Sequence, residues 1–427
     1  MSGTETVNRR NWISEFLGGI LVLVSYLAMA DAADWKSGLS ATVRFENIEN
    51  IQKGIEAAGE PSKAKAQKAA FAGETEAYKD SHSLEAYKAV CLALSSPASS
   101  APAPTTSPAI PPAAATSSQP SITIGPYYPC HLISESPVSS VYHHPDSTTP
   151  LAVKLITTSS PTPPHNAARE AAILKSLNHA RIITLISTLH DSDGHLILTF
   201  PYHPLTLATA LTLPKLPLLM PLLHDLFEGL SHIHSKNIIH RDIKPSNLLL
   251  TPTRLVIADF GTAWHPKLST DEPAKQKCLD VGTGSYRAPE TLFGDRKYGT
   301  ELDMWSAGCV LAECLRDPPT PLFESRRAHE DGNQLGLILS IFKSLGTPDL
   351  STWPSAAELP TPPFEMYATF PQVPWKTLIP PTTNPEFVGI IDKVRELVWR
   401  MVAFEPGYRV DADAAMEMLE LISTNSL

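Results

Sequence analysis

From Ile122 onward the apolar positions of this chain fall into short runs of strand length: ITIG at 122–125, LAVKLI at 151–156, IITLIST at 182–188 and HLILTF at 195–200. Runs of this length between turn-forming residues predict β-strands. One helical segment, NAAREAAILKSL at 166–177, interrupts them. Helical spacing places Glu170, Ile173, Leu174 and Leu177 along one face, so the carboxylate points with the apolar side chains towards the lobe interior. Beyond Pro204 the pattern is mostly helical. The order predicts an α+β molecule with a small β-rich lobe at 121–200, a joint at FPYHP (200–204) and a larger helical lobe at 205–425. A cleft between two such lobes is a natural nucleotide site.

The first 120 residues follow a different pattern. Arg9 and Arg10 precede an apolar stretch within 13–30 that ends in Ala28-Met29-Ala30, a layout that resembles a secretory signal. As a helix, residues 16–30 span about 22 Å, short of the roughly 30 Å hydrocarbon core. Three readings stand side by side: a signal-like segment, cleaved or retained; an amphipathic or packed helix; or an extension foreign to the working protein. Residues 31–95 are rich in Ala, Lys and Glu and predict loose helices without a strong apolar stripe. Residues 95–120, SSPASSAPAPTTSPAIPPAAATSSQP, predict a disordered, extended linker. The chain therefore divides into an extension (1–94), a linker (95–120) and a folded domain (121–425).

Composition narrows the function classes. The 427 residues are 43% hydrophobic and 18% charged, enough to fold around a core. The formal net charge of −10 and the lack of a long basic run argue against a nucleic-acid partner. The five cysteines, Cys91, Cys130, Cys278, Cys309 and Cys314, form no CxxC pair. They predict neither a zinc site nor a disulfide framework, and they favour a reducing compartment, nucleus or cytoplasm. Only the signal-like segment points towards a membrane or the secretory route.

The chemistry concentrates in IIHRDIKPSN, residues 238–247, directly before LLL. A polar cluster between two apolar runs must sit in a loop held by rigid neighbours, where catalytic groups concentrate. Asp259 follows in LVIADFG (255–261), and Asn247 lies between it and Asp242. Asp and Asn oxygens are hard ligands suited to Mg²⁺. Upstream, Lys154 on an apolar strand needs a partner, and Glu170 on the next helix is available.

HRDIKPSN, DFG and APE (288–290), in this order and spacing, with LAVK before and DMWSAG (303–308) after, resemble a eukaryotic protein kinase over about residues 122–425. The resemblance implies a bilobal kinase fold, ATP and Mg²⁺ as cofactors, and a protein substrate. It implies that Lys154 grips phosphates and pairs with Glu170, and that Asp242 orients or accepts the substrate hydroxyl proton. Lys244 would neutralise the transferring phosphoryl group, with Thr283 beside it, and Asn247 and Asp259 would hold magnesium. Ile133, Ser134, Ser136, Ser139, Val141, Ala152, Phe200, Tyr202 and Leu249 would line the nucleotide cleft. Asp303 resembles the residue that braces the HRD loop, and Glu290 and Arg409 resemble a buried anchoring ion pair. YRAPE (286–290), the Arg169-Glu170 pair and QLGLILSIFKSLGTPDLSTWP (334–354) resemble the CMGC group, cyclin-dependent kinases within it, and fungal single-chain kinases that activate them. A cyclin-like subunit or a cyclin-dependent kinase is the partner this implies.

The chain also departs from that family. ISESPVSSVY (133–142) stands where kinases carry a glycine-rich loop, with Ser134, Ser136 and Ser139 at the glycine positions. If those positions require left-handed backbone, serine is strained there, and ATP binding should weaken. Cys278 stands at the usual activating phosphothreonine position, with Asp280 and Glu272 as acids that can pair with Arg241 instead. Gly284 and Ser285 replace bulkier residues and loosen the pocket that selects proline after the target residue. The leading expectation is an active serine/threonine kinase. A pseudokinase scaffold with weak nucleotide binding is the alternative, and a membrane-tethered receptor kinase rests on residues 13–30 alone.

Overall fold

The computed structural model describes residues 121–424 apart from 146–148, 159–161, 214–217, 252, 326–332 and 365–367. Before them it describes residues 84–95 and the isolated positions 47, 51, 53 and 77. The signal-like segment lies outside the described residues, as does the linker 95–120 except for Ser95. The chain separates into two compact units, 1–116 and 117–427. In the first, helix α1 (Leu84–Leu94) buries Tyr87 and Cys91, and Asn47 donates to the Tyr87 hydroxyl. No helix among the described residues is long and apolar enough to cross a membrane.

The second unit opens with an antiparallel sheet in the order β1-β2-β3-β4-β6-β5. Its strands are β1 (Ile122–Ile124), β2 (Tyr127–Glu135), β3 (Ser139–His144), β4 (Leu151–Ile156), β5 (Ser187–His190) and β6 (Leu196–Pro201). Helix α2 (Ala167–Ser176) stands between β4 and β5, as the spacing of its apolar residues predicts. Asn166 caps it by accepting from the Arg169 amide at 2.9 Å. Val153, Ile197, Ile124 and Cys130 form the core of this lobe.

Two strand expectations need correction. The run 182–188 is not one strand: Ile182 and Ile183 are buried in a loop, and only Ser187 onward joins β6. Ile182 instead bridges Ile257, and the Ile183 amide donates to the Ile257 carbonyl at 2.9 Å. The two residues thus join Ile257 through the backbone, which an apolar run alone does not reveal. The long β2–β3 hairpin was also invisible as strand, because its polar residues show no clear alternation.

The lower lobe carries a small sheet, β7 (Leu205–Thr206), β8 (Leu248–Leu250) and β9 (Leu255–Ile257), against helices. The longer helices are α3 (Leu219–His234), α4 (Glu301–Leu315), α5 (Asn333–Leu345), α6 (Ile391–Met401) and α7 (Ala412–Thr424). Helix α3 has no side-chain cap of its own. Glu386, distant in sequence, accepts from the Leu219 and Met220 amides at 2.7 and 3.1 Å and supplies the negative charge a helix start favours. Helix α4 is buried almost all round. It approaches α6 closely at Gly308, where a Cβ would lie 2.7 Å from the Met401 Cβ. The Glu290 carboxylate and the Arg409 guanidinium make a paired contact at 2.7 and 2.8 Å, with the guanidinium over the Trp305 ring. Each charge satisfies the other where both side chains are buried, so removing either costs about 3–5 kcal/mol.

Candidate active site

Strand β4 places Lys154 on the face towards α2, and α2 turns Glu170 inwards. The lysine ammonium lies 2.9 Å from Glu170 Oε2 and 2.8 Å from Asp259 Oδ1. Burial opposes the positive charge, but the two carboxylates outweigh it and hold the Lys154 pKa above its ordinary value. Lys154 in turn holds the Asp259 carboxyl well below the usual carboxylate range. Asp259 sits in left-handed backbone, φ 64°, and its side chain stays half-exposed at 48%. Phe260 next to it is fully buried, edge-on to His240 with ring centroids 4.7 Å apart. The Asn166 amide donates to the Gly261 carbonyl, so the start of α2 and the DFG segment are joined through the backbone.

The loop between α3 and β8 is held from behind by Asp303. Its carboxylate accepts the Arg241 amide on one oxygen, and the His240 amide and the His234 ring on the other, at 2.8–3.0 Å. This bracing lets Arg241 keep a left-handed φ of 70°, uncommon for a residue with a side chain. Asp242 then meets three partners. Asn247 Nδ2 donates to its Oδ2 at 3.0 Å, Lys244 Nζ lies 2.8 Å from the same oxygen, and the Thr283 hydroxyl donates to Oδ1 at 2.6 Å. Lys244 also donates to Thr283 at 2.9 Å. All the polar residues expected to act on the phosphoryl group thus fall into two linked clusters, Lys154–Glu170–Asp259 and Asp242–Lys244–Asn247–Thr283.

The nucleotide-cleft residues are less uniform. Val141 lies opposite Lys154 and Ala152 opposite Phe200 in the sheet register. Leu249 is half-buried between the fully buried Leu248 and Leu250, as the two-residue period of a strand requires. Ile133 and Ser134 are exposed on β2. The Tyr202 amide is already committed to the Pro150 carbonyl at 2.9 Å, and its ring stacks on His143 at 4.0 Å. That amide is therefore already occupied within the sheet edge.

The serine loop corrects the strain expectation. Among the described residues only Asn237, Arg241 and Asp259 combine a side chain with positive φ, so none of the three serines is left-handed. Instead Ser136 folds the turn onto itself. Its hydroxyl accepts from the Ser139 amide at 3.1 Å and, more weakly, the Val138 amide at 3.4 Å, and donates to the Ser139 carbonyl at 2.9 Å. A hydroxyl oxygen therefore occupies backbone donors at the turn expected to meet phosphate.

The activation segment resolves the choice between the two acids. Glu272, not Asp280, meets Arg241: both of its oxygens accept from that guanidinium, and Oε2 also accepts from Arg169 at 3.3 Å. Asp280 is a largely exposed partner of Arg287 at 3.2 Å instead. Beyond it, Gly282 takes φ +80°, and a Cβ there would lie 3.3 Å from the Arg287 backbone. The turn thus requires glycine by conformation and by space. Sequence reasoning named both acids and placed the permanent charge near Arg241 on Asp280; the structure gives that place to Glu272.

Two oxygen donors fit a divalent cation. Asn247 uses Nδ2 on the carbonyl and carboxylate of Asp242, which leaves its Oδ1 as the coordinating atom. Asp259 offers a half-exposed carboxylate held ionised by Lys154. Hard, partly charged oxygens of this kind suit Mg²⁺.

Comparison with known proteins agrees with this geometry. The family model described as "Protein kinase domain" matches residues 134–419. Among solved structures the chain is similar to the crystal structure of the yeast RNA Pol II CTD kinase CTDK-1 complex. The TM-score is 0.55 at 24% identity, over 72% of this chain and 95% of that one. The likeness shows the same bilobal fold.

Proposed function

The chain belongs to the protein kinase family, and we propose that it is an active serine/threonine kinase of the cyclin-dependent type, transferring the γ-phosphate of ATP to protein hydroxyls. One observation carries the reading: Lys154 is held by both Glu170 and Asp259 while Asp242, Lys244 and Thr283 are hydrogen-bonded to one another. Phosphoryl transfer needs positioning and charge neutralisation more than covalent chemistry, and these are the residues that supply both.

Lys154 reaches the α- and β-phosphates from a position fixed by two carboxylates. Asn247 and Asp259 would hold magnesium, which would supply charge neutralisation for the transfer. Asp242 accepts the proton of the attacking hydroxyl. This role is supported by the Thr283 hydroxyl, which donates to Asp242 Oδ1. Lys244 stands between Asp242 and Thr283 and offsets charge on the transferring group. Serine or threonine specificity is supported by this Lys–Thr–Asp arrangement. A cyclin-like subunit, or a cyclin-dependent kinase as substrate, is supported by the Arg169-Glu170 pair on α2, by YRAPE and LGTP, and by the kinase complex among the similar structures.

A scaffold with weak nucleotide binding is favoured by one observation, the capture of loop amides by Ser136. Full-length protein incubated with labelled ATP, Mg²⁺ and a panel of generic and cyclin-dependent-kinase substrates separates the two. Transfer that disappears in Asp242→Asn supports the kinase. Nucleotide binding without transfer supports the scaffold.

A further inference from the structure

Between Ala263 and Tyr286 the chain forms no strand or long helix, yet it is firmly held. Lys277 is buried with its ammonium on the Ala274 and Tyr298 carbonyls and over the Trp264 ring. The Trp264 indole donates to the Glu272 carbonyl at 2.8 Å. Trp264 and Ile239 exchange backbone hydrogen bonds, which joins this segment to the catalytic loop.

At the centre lies the Glu272 carboxylate, 7% exposed. Three elements converge on it. Arg169 comes from α2, Arg241 from the catalytic loop, and the Cys278 amide from the activation segment itself, at 2.5 Å from Oε1. Tyr298 extends the network, with Arg241 donating to its hydroxyl and the hydroxyl donating to the Cys278 carbonyl. Asp271 lies 3.7 Å from Arg169 as well. The two adjacent carboxylates balance the two guanidinium charges, and a phosphate near neutral pH carries a charge of about −2. Guanidinium forks bind carboxylate and phosphate oxygens by the same paired geometry.

The two arginines also sit directly beside working residues. Arg169 precedes Glu170, which holds Lys154, and Arg241 precedes Asp242. An anion that fixes both arginines therefore fixes one residue of each catalytic cluster. We propose that Glu272 is a positioning residue for phosphoryl transfer, acting through Arg169 and Arg241 in place of a phosphate on the activation segment, so that the chain is competent as translated. The proposal rests on the kinase reading above.

The test uses full-length protein made in bacteria and treated with phosphatase, its lack of phosphate checked by intact mass. Wild type should keep its transfer rate within about twofold, since no added phosphate is involved. Glu272→Gln keeps the size but removes the charge, and should lower kcat by about 10²-fold through misplacement while the KM for ATP changes far less. Glu272→Asp should retain an intermediate rate. In Glu272→Ala the vacated arginines should accept inorganic sulfate, which should restore about tenfold of the rate and raise Tm, and do neither in wild type. A wild type silenced by phosphatase overturns the proposal, as does a Glu272→Gln variant with undiminished kcat or a Glu272→Ala variant indifferent to sulfate. A wild type that transfers nothing under any treatment overturns the kinase reading first and the proposal with it. An active wild type with an unaffected Glu272→Gln overturns the proposal alone.

Discussion

The activation segment and the serine loop treat a similar problem in different ways. Each presents a set of hydrogen-bond donors suited to a phosphate, and in each the chain's own oxygen fills it. At the activation segment the oxygen belongs to a buried carboxylate met by two guanidinium groups and an amide. At the loop it belongs to a neutral, exposed serine that accepts from two amides. Charge-assisted bonds in a buried site are roughly twice as strong as neutral ones, whereas a hydroxyl on the surface competes with water throughout. The first filling is expected to persist, and the second to yield to a nucleotide.

The comparison depends on an intact centre between the two regions. Asp242→Asn should lower kcat by at least about 10²–10⁴-fold, the usual contribution of a positioned base, with nucleotide affinity nearly unchanged. Asp259→Asn should also stop transfer and additionally weaken Mg·ATP binding, because Asp259 offers the metal oxygen and holds Lys154. Calorimetry that shows equal nucleotide loss in both variants would refute the division of roles.

Removing the displaceable oxygen gives a smaller effect. Ser136→Gly frees the Val138 and Ser139 amides and should lower the KM for ATP by up to about tenfold, or ~1.4 kcal/mol. Because the metal oxygens are untouched, kcat should change less than KM. An unchanged KM would mean that the hydroxyl already yields to phosphate without cost, and the contrast between the two regions would narrow.

The charge difference should also appear in pH dependence. Burial pushes the Glu272 carboxyl up, but Arg241, the Cys278 amide and Arg169 outweigh it and hold the pKa below the ordinary glutamate value. A depressed folded-state pKa gives stability that is fully present above the unfolded pKa, about 4.3, and is lost as pH falls through the lower folded value. The Tm gap between wild type and Glu272→Gln should therefore be flat from about pH 8 to pH 5 and close only below about pH 4. The corresponding gap for Ser136→Gly should not vary over that range. A Glu272 gap that closes already near neutral pH would contradict the buried, charged pair.

The smallest effect is expected at the acid that does not meet Arg241. Asp280 is exposed and among the described residues pairs with Arg287 alone, and exposed pairs of this kind contribute about 0–1 kcal/mol. Asp280→Asn should leave kcat within about twofold, since it touches neither cluster. A large loss there would shift the activating charge away from Glu272.

How much of this was legible in the sequence follows from how far each interaction reaches. The catalytic loop, DFG and APE are contiguous stretches, so their resemblance to kinase motifs names Asp242, Lys244, Asn247 and Asp259, while the oxygens of Asn247 and Asp259 also suit Mg²⁺ by type. Lys154 and Glu170 followed from the strand and helix periods. The choice of Glu272 over Asp280 could not be made, because it depends on where an irregular segment folds relative to Arg169, 103 residues away. At Ser136 the sequence shows that a hydroxyl is added, but not which groups it meets. Its effect lies in the side chain closing a turn on residues two and three positions on, which a substitution pattern does not show. Ile182 and Ile183 looked like strand because burial against β9 and burial within a sheet leave the same apolar signature.

Cys91, Cys130, Cys309 and Cys314 are buried, while Cys278, whose amide reaches Glu272, is partly accessible. Burial also pushes the Cys130, Cys309 and Cys314 thiols above their ordinary range, away from the reactive thiolate. A maleimide fluorophore added to the native protein should thus attach to a single thiol, adjacent to the Glu272 cage. The chain carries its own labelling point for watching, by emission or anisotropy, whether the cage stays closed when nucleotide, substrate or a partner subunit arrives.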